Sequence, residues 1–456
     1  MSRISNVKAA LSLPQLLTPT QSWPEHGERE AELVTRSLGN QLGLGSPEVR
    51  TFEEAFRGMQ QLPATHEAVA TTNGTHAIQL ILEALNIGWM DRILIPGETW
   101  QATGGAVLDV NAIPELIDGN GSWTIDPDLV EEHLRKTRGT KRFPKAVIAV
   151  HLYDRAADVK RLAEICKAYN VFLIEDCAHA VGAVIDGRPA GTWGVAGSYS
   201  LQGSKGFTSG GEGGVMVTGV PLLEQRLRSL VSCGREDQPL IPASAEADAL
   251  TAHWRRRVDA LDLAPFGAQS GNYRMNGVTA ALGTAQTERF PQQYALREAS
   301  IRALEELLPT VPGITYRRQD EVTHPVAYML AFAYDPQQFA GMDNALFREV
   351  LHALLGEGES QLVLPTYDPL GGGEAGYRSP VYNPLSKKRH LVSEEYVRAI
   401  DPSRANLPVA HEIFRTGITI QHSFLREADA AQALVEALRW MHANAEAIVA
   451  AAGQSS

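Results

Sequence analysis

At 456 residues the chain is longer than one hydrophobic core usually supports, so two domains are expected. Its hydrophobic share of 44% and charged share of 21% are those of a soluble globular enzyme, and its formal charge of −12 argues against a nucleic-acid surface. No run approaches the ~20 apolar residues of a membrane helix. The start, MSRISNVKAALSLPQLL, lacks the basic stretch, apolar core and cleavage site of a secretion signal. Cys166, Cys177 and Cys233 form no CxxC pair and leave one unpaired, which suits a reducing cytoplasm. His151 and His179 stand at no recognisable metal-ligand spacing, so no metal is expected.

From Glu67 to Gly234 strands and helices alternate, which predicts a mainly parallel, helix-covered sheet. Strands are expected at Glu67 onward, Arg92 to Pro96, Ile113 to Ile117, Ala146 to Leu152, Val171 to Asp176, Ser198 to Leu201 and Gly214 to Thr218. A helix should start at Asp126 with Pro127 in its first position, and another should run from Val159 to Ala168. A smaller C-terminal α/β domain is expected from Val278, dividing the chain into 1–277 and 278–456. It would use strands near Tyr328 to Ala333 and Gly417 to Gln421 and a closing helix from Asp429, while Gly371 to Gly373 mark a flexible loop.

Four segments carry chemistry. In EAVATTNGTHAIQLILEALNIG a strand turns through Asn73 and Gly74 into an amphipathic helix. Gly74 and Thr75 would offer unpaired amides at its N-terminus, where a phosphate is favoured, although an ordinary capped helix start reads the same way. In RILIPGETWQATGGAV, Trp100 follows a strand end, suited to stacking on a flat ring or to filling a core. In VFLIEDCAHAVGA a buried strand ends in Glu175 and Asp176, at the edge where open α/β sheets bind ligands. The plain alternative for Asp176 is a helix cap. In SYSLQGSKGFTSGGEGG, Lys205, one of nine lysines, lies between an alternating strand and a glycine-rich turn. A walled-in lysine is a nucleophile toward aldehydes, and a carboxylate beside it suits the pyridinium nitrogen of pyridoxal phosphate.

These segments, with GNYRMNGVTAALG and GLGSPEVRTFEEAF, resemble the DegT/StrS-type aminotransferases over most of the chain. The resemblance implies a fold-type-I pyridoxal phosphate enzyme, with a large domain built on a mainly parallel seven-stranded sheet and a smaller C-terminal α/β domain. It implies Lys205 as the Schiff-base lysine, Asp176 as the pyridinium partner, Trp100 stacked on the ring and Gly74, Thr75 and Ser200 on the phosphate. His179 stands where many relatives have glutamine, against the ring hydroxyl. Asn272 and Arg274 match a segment that reaches the neighbouring subunit's cofactor, implying a homodimer with shared sites. The nearest branch aminates keto-cyclitols such as scyllo-inosose from L-glutamine, in antibiotic biosynthesis, and AVIAVHLYDRAADVKRLAEI and the tail SPVYNPLSKKRH point there.

Two features depart from that pattern. Lys205 to Glu212 spans seven residues where six are usual, which places an extra glycine (Gly210 or Gly211) beside the cofactor. Glu236 to Gln269 and Thr366 to Ser379 are longer or more irregular than in relatives. An aminohydroxybenzoate-type synthase, which keeps the lysine, remains open. A dehydratase branch that replaces the lysine with histidine is disfavoured by Lys205. A non-catalytic cofactor-binding regulator is disfavoured by intact Lys205 and Asp176, and a nicotinamide-dependent dehydrogenase by the lack of GxGxxG after the first strand.

Overall fold

Continuous apolar runs make the centre of the molecule. In the computed structural model, which describes residues 2–17, 22–236, 246–356, 362–372 and 379–453, seven strands form one sheet. They are β1 (Glu67–Thr71), β2 (Arg92–Pro96), β3 (Ile113–Ile117), β4 (Ala146–Val150), β5 (Phe172–Asp176), β6 (Ala196–Ser200) and β7 (Gly214–Thr218). Their spatial order is β1-β7-β6-β5-β4-β2-β3. β4 and β5 are buried along their whole length, which is why they read as unbroken apolar stretches. Only β7 runs against its neighbours, pairing antiparallel with β1 and β6.

Every expected strand of this sheet is present; Arg92–Pro96, Ile113–Ile117 and Gly214–Thr218 match at both ends, and β4, β5 and β6 have shifted ends. β4 stops at Val150 because Leu152 and Arg155 exchange both backbone hydrogen bonds in a tight turn (2.9 and 2.8 Å). β6 starts two residues early, at Ala196, since alanine and glycine give a weak strand signal. The helices between strands begin as their caps dictate. The Asn73 side chain accepts from the His76 amide, Asp126 from the Asp128 amide and Asp158 from the Arg161 amide. Pro127 holds the first helical position, as expected.

A 31-residue helix, Gly277–Leu307, then packs on helices Glu28–Ser37 and Pro47–Met59 and leads to a second, four-stranded sheet. Its strands are β8 (Ile314–Thr315), β9 (Met329–Tyr334), β10 (Val363–Pro365) and β11 (Gly417–Gln421), in the order β8-β9-β11-β10. The short β8 and β10 carry too few residues to show a pattern in the sequence. Helices Ala430–Ala443 and Ala445–Ala452 close the chain. Gly373 of the expected glycine loop, and parts of both irregular stretches (237–245 and 373–378), lie outside the described residues. Among the described residues no helix is long and apolar enough to cross a membrane.

Candidate active site

The carboxyl edge of the seven-stranded sheet opens into a cavity of about 760 Å³. Seven of the nine expected site residues line it: Gly74, Thr75, Trp100, Asp176, His179, Ser200 and Lys205. Asn272 and Arg274 do not. Asn272 forms an isolated bridge with Ser232, and the Arg274 guanidinium donates to the Ser232 hydroxyl at 3.0 Å. The segment is tied to the end of β1, because the Tyr273 carbonyl accepts from the Thr72 amide (3.1 Å) and the Thr71 hydroxyl (2.9 Å).

Lys205 sits in a turn closed by its own amide donating to the Gln202 carbonyl at 2.8 Å. Its ammonium lies 4.7 Å from the centroid of the Tyr328 ring. Burial pushes its pKa down to about 8, against the opposing pull of the Asp176 carboxylate. The surplus glycine region folds back under this turn. Gly203 donates to the Gly211 carbonyl at 2.8 Å, Gly210 adopts φ +92°, and Glu212 lines the cavity.

Successive side chains on a strand point to opposite faces, and the end of β5 uses both. Asp176 faces the cavity, where one oxygen accepts from the Thr103 hydroxyl (2.9 Å) and the other from the Ala178 amide (3.1 Å). The second bond is the cap-like contact that the plain reading gives to this residue. Burial raises its pKa, with the Ala178 amide, Thr103, Lys205 and His151 opposing. Glu175 is turned away and accepts from the Gly191, Trp193 and Gly194 amides at 2.7–2.9 Å. Its fourth partner is His151, at 3.2 Å. The fold does gather His151, Glu175 and Cys177 within 4.8 Å, which sequence spacing does not show. His151 Nδ1 accepts from the Ala157 amide (3.2 Å), so its Nε2 is the donor to Glu175, and the carboxylate is satisfied as a structural group.

Three residues that the sequence reading did not single out complete the walls. Thr103 orients Asp176. Tyr328, on the approach to β9, packs 4.2 Å from the His179 ring centroid. Tyr367 comes from the irregular segment after β10, lies 5.4 Å from Trp100 and places its hydroxyl 3.1 Å from His179 Nε2. His179 Nδ1 accepts from the Tyr153 amide at 2.9 Å, so Nε2 carries the proton and donates to Tyr367. Burial holds the His179 pKa well below its usual value, and Lys205 pushes it the same way. The signal for Thr103 was available, one helical turn after Trp100. Tyr367 had none, since no period runs through its segment.

The family model for DegT/DnrJ/EryC1/StrS aminotransferases matches residues 24–355. The chain belongs to this family. It is 31% identical to an L-glutamine:2-deoxy-scyllo-inosose aminotransferase of Streptomyces kanamyceticus, over 89% of this chain and 90% of the relative. It is 30% identical to an L-glutamine:scyllo-inosose aminotransferase of Streptomyces griseus, over 88% and 89%. Among solved structures, 3-amino-5-hydroxybenzoic acid synthase shares the fold with a TM-score of 0.71 at 22% identity, covering 94% of this chain and 100% of that one. An aminotransferase from Psychrobacter cryohalolentis gives 0.72 at 22%, with the same coverage.

As a family aminotransferase the protein is a pyridoxal phosphate enzyme of fold type I, and the cavity fits that group. A Cβ on Gly74 would stand 2.7 Å from the Ser200 Cβ, so only glycine lets the helix start and the end of β6 approach this closely. The cradle between them exposes the first amides of the helix, which suits a phosphate. At the other end Asp176 is a buried acid held by two donors, where a pyridinium N–H would supply a cation to offset the cost of burial.

Proposed function

We propose that the protein moves an amino group from an amino acid, L-glutamine or L-glutamate, to a keto-cyclitol or keto-sugar in the biosynthesis of an aminoglycoside-like metabolite. The observation that carries this is Lys205, a half-buried amine with a pKa near 8 beside Asp176, in a cavity with polar walls from Tyr367, Gln202, Gln421 and Glu212. The relatives named as glutamine:inosose aminotransferases, matched over most of the chain, support the donor and acceptor classes.

In this reading Gly74, Thr75 and Ser200 hold the cofactor phosphate, Trp100 covers one ring face and His179 lies against the ring hydroxyl. Bound pyridoxal phosphate supplies an aldehyde to take up the amino group and a ring to draw electrons from the α-carbon. Asp176 keeps the proton on the ring nitrogen. Lys205 Nζ takes the α-proton of the donor and returns it at the cofactor side, acting as base and then acid. The acceptor ketone is aminated by the reverse sequence at the same groups, so the kinetics are ping-pong. Asn272 and Arg274, outside their own chain's cavity, reach the partner's cofactor in a cytoplasmic homodimer. The domains divide at residues 277 and 278.

The test is a single-turnover assay with L-glutamine and no acceptor. Keto acid equal to the enzyme sites, followed by amination of added scyllo-inosose or its 2-deoxy analogue with ring hydroxyls retained, supports the reading. No keto acid from glutamine, glutamate or alanine overturns it, and an aromatic product moves the protein to the synthase class.

A further inference from the structure

Behind the cavity wall, the hydrogen bonds close into a ring. The Tyr153 amide donates to His179 Nδ1 (2.9 Å), and His179 Nε2 donates to the Tyr367 hydroxyl (3.1 Å). The Tyr367 amide in turn donates to the Tyr153 hydroxyl (2.6 Å), which donates to Glu98 Oε1 (3.0 Å). All donors have defined directions. Because His179 fills one lone pair of the Tyr367 oxygen, the phenolic proton of Tyr367 is left for the cavity.

Two features of the ring are unusual. Tyr153 is fully buried, yet its backbone lies at φ +58°, a region that a bulky residue occupies only when its surroundings hold it there. The surroundings are the Leu152–Arg155 turn, clamped onto β9. Asp154 accepts from the Ala331 amide (3.0 Å) and the Tyr316 hydroxyl (2.7 Å), and Arg155 donates to the Ala331 carbonyl (2.9 Å). Glu98 is buried next to Asp118 and has no cation beside it among the described residues. Its second oxygen, Oε2, has no hydrogen-bond partner. Burial raises its pKa well above the usual value, Asp118 adds to the rise and the Tyr153 hydroxyl opposes it, while Oε1 serves as the acceptor for Tyr153.

We infer that Tyr153 and Glu98 are positioning residues for the acceptor half of the reaction. They hold the segment of Tyr367 against the large sheet and fix the hydroxyl donor that Tyr367 presents to a polar substrate. This deepens the aminotransferase reading and rests on it for the identity of the substrate. The donor half engages Lys205, Asp176 and the phosphate cradle; the ring meets the cofactor site at His179, whose bond from the Tyr153 amide the side-chain variants at 153 and 98 leave in place.

The experiment uses full-length Tyr153→Phe, Glu98→Gln and Glu98→Leu. In Tyr153→Phe the Tyr367 amide loses its partner, so deuterium exchange of the peptide carrying Tyr367 should accelerate about five- to tenfold, with or without cofactor. The KM for the ketone should rise by a similar factor of about five to ten, while the glutamine half-reaction stays within about twofold. Glu98→Gln keeps an oxygen acceptor for Tyr153 and should behave as wild type in exchange and KM, whereas Glu98→Leu should follow Tyr153→Phe. Unchanged exchange in Tyr153→Phe, or equal losses in both half-reactions, overturns the inference. If the wild type transfers no amino group at all, the functional reading has failed, and the exchange result still judges the ring.

Discussion

Lys205 should announce itself through pH. Its folded pKa of about 8 lies below the ordinary 10.5, so between those values the unfolded chain binds more protons and stability rises with pH. Below pH 8 the partly desolvated ammonium is a burden. Cofactor-free Lys205→Met should therefore melt above the wild type at pH 7, and the gap should narrow as the pH climbs from 8 to 10.5. A constant gap would mean that burial does not depress the amine. Lys205→Ala should abolish both half-reactions while still binding pyridoxal phosphate, seen by dialysis and absorbance; full activity in that variant would refute its role. The pair Asp176 and Lys205 was legible because Asp176 ends a recognisable strand and Lys205 follows one. Tyr153 and Tyr367 were not, since each acts through a neighbour brought close only by tertiary packing.

At the scale of an element, β5 shows why adjacent acids have different fates. Alternation sends Asp176 to the cavity and Glu175 into a nest of three backbone amides. Glu175→Ala would strand those buried donors, each at about 1–3 kcal/mol, so the apoprotein should lose at least about 3 kcal/mol in denaturant unfolding. Asp176→Asn should leave stability nearly intact and reduce the donor half-reaction instead, measured by keto acid release. A Glu175→Ala protein as stable as wild type would show that water satisfies those amides. The strands themselves were readable because parallel, doubly buried strands are continuous apolar runs. The wall supplied by 366–372 was not, because it is held by single contacts such as the Leu370 amide on the Gly97 carbonyl (2.8 Å) rather than by any repeating pattern.

For the whole molecule, the position of Asn272 and Arg274 outside their own cavity makes the assembly testable. Inactive Lys205→Ala and weakened Arg274→Ala chains, unfolded together and refolded, should form mixed dimers with one site of wild-type composition, and activity should reappear. No recovery would place Arg274 in the site of its own chain or in none. The sheet order has a consequence for how the protein is made. β1 ends at the helix start proposed to hold the phosphate, but reaches β6 in the sheet only through β7, with Glu67 paired to Thr218. A nascent chain that has left the ribosome up to Ser200 thus holds both halves of the cradle, with the helix from Gly74 able to pack on β6 but without the strand that pairs β1 into the sheet. The cradle is expected to reach its final geometry only when Gly214 to Thr218 slides between strands made long before, so the last strand of the sheet to be synthesised should set when the enzyme can be loaded.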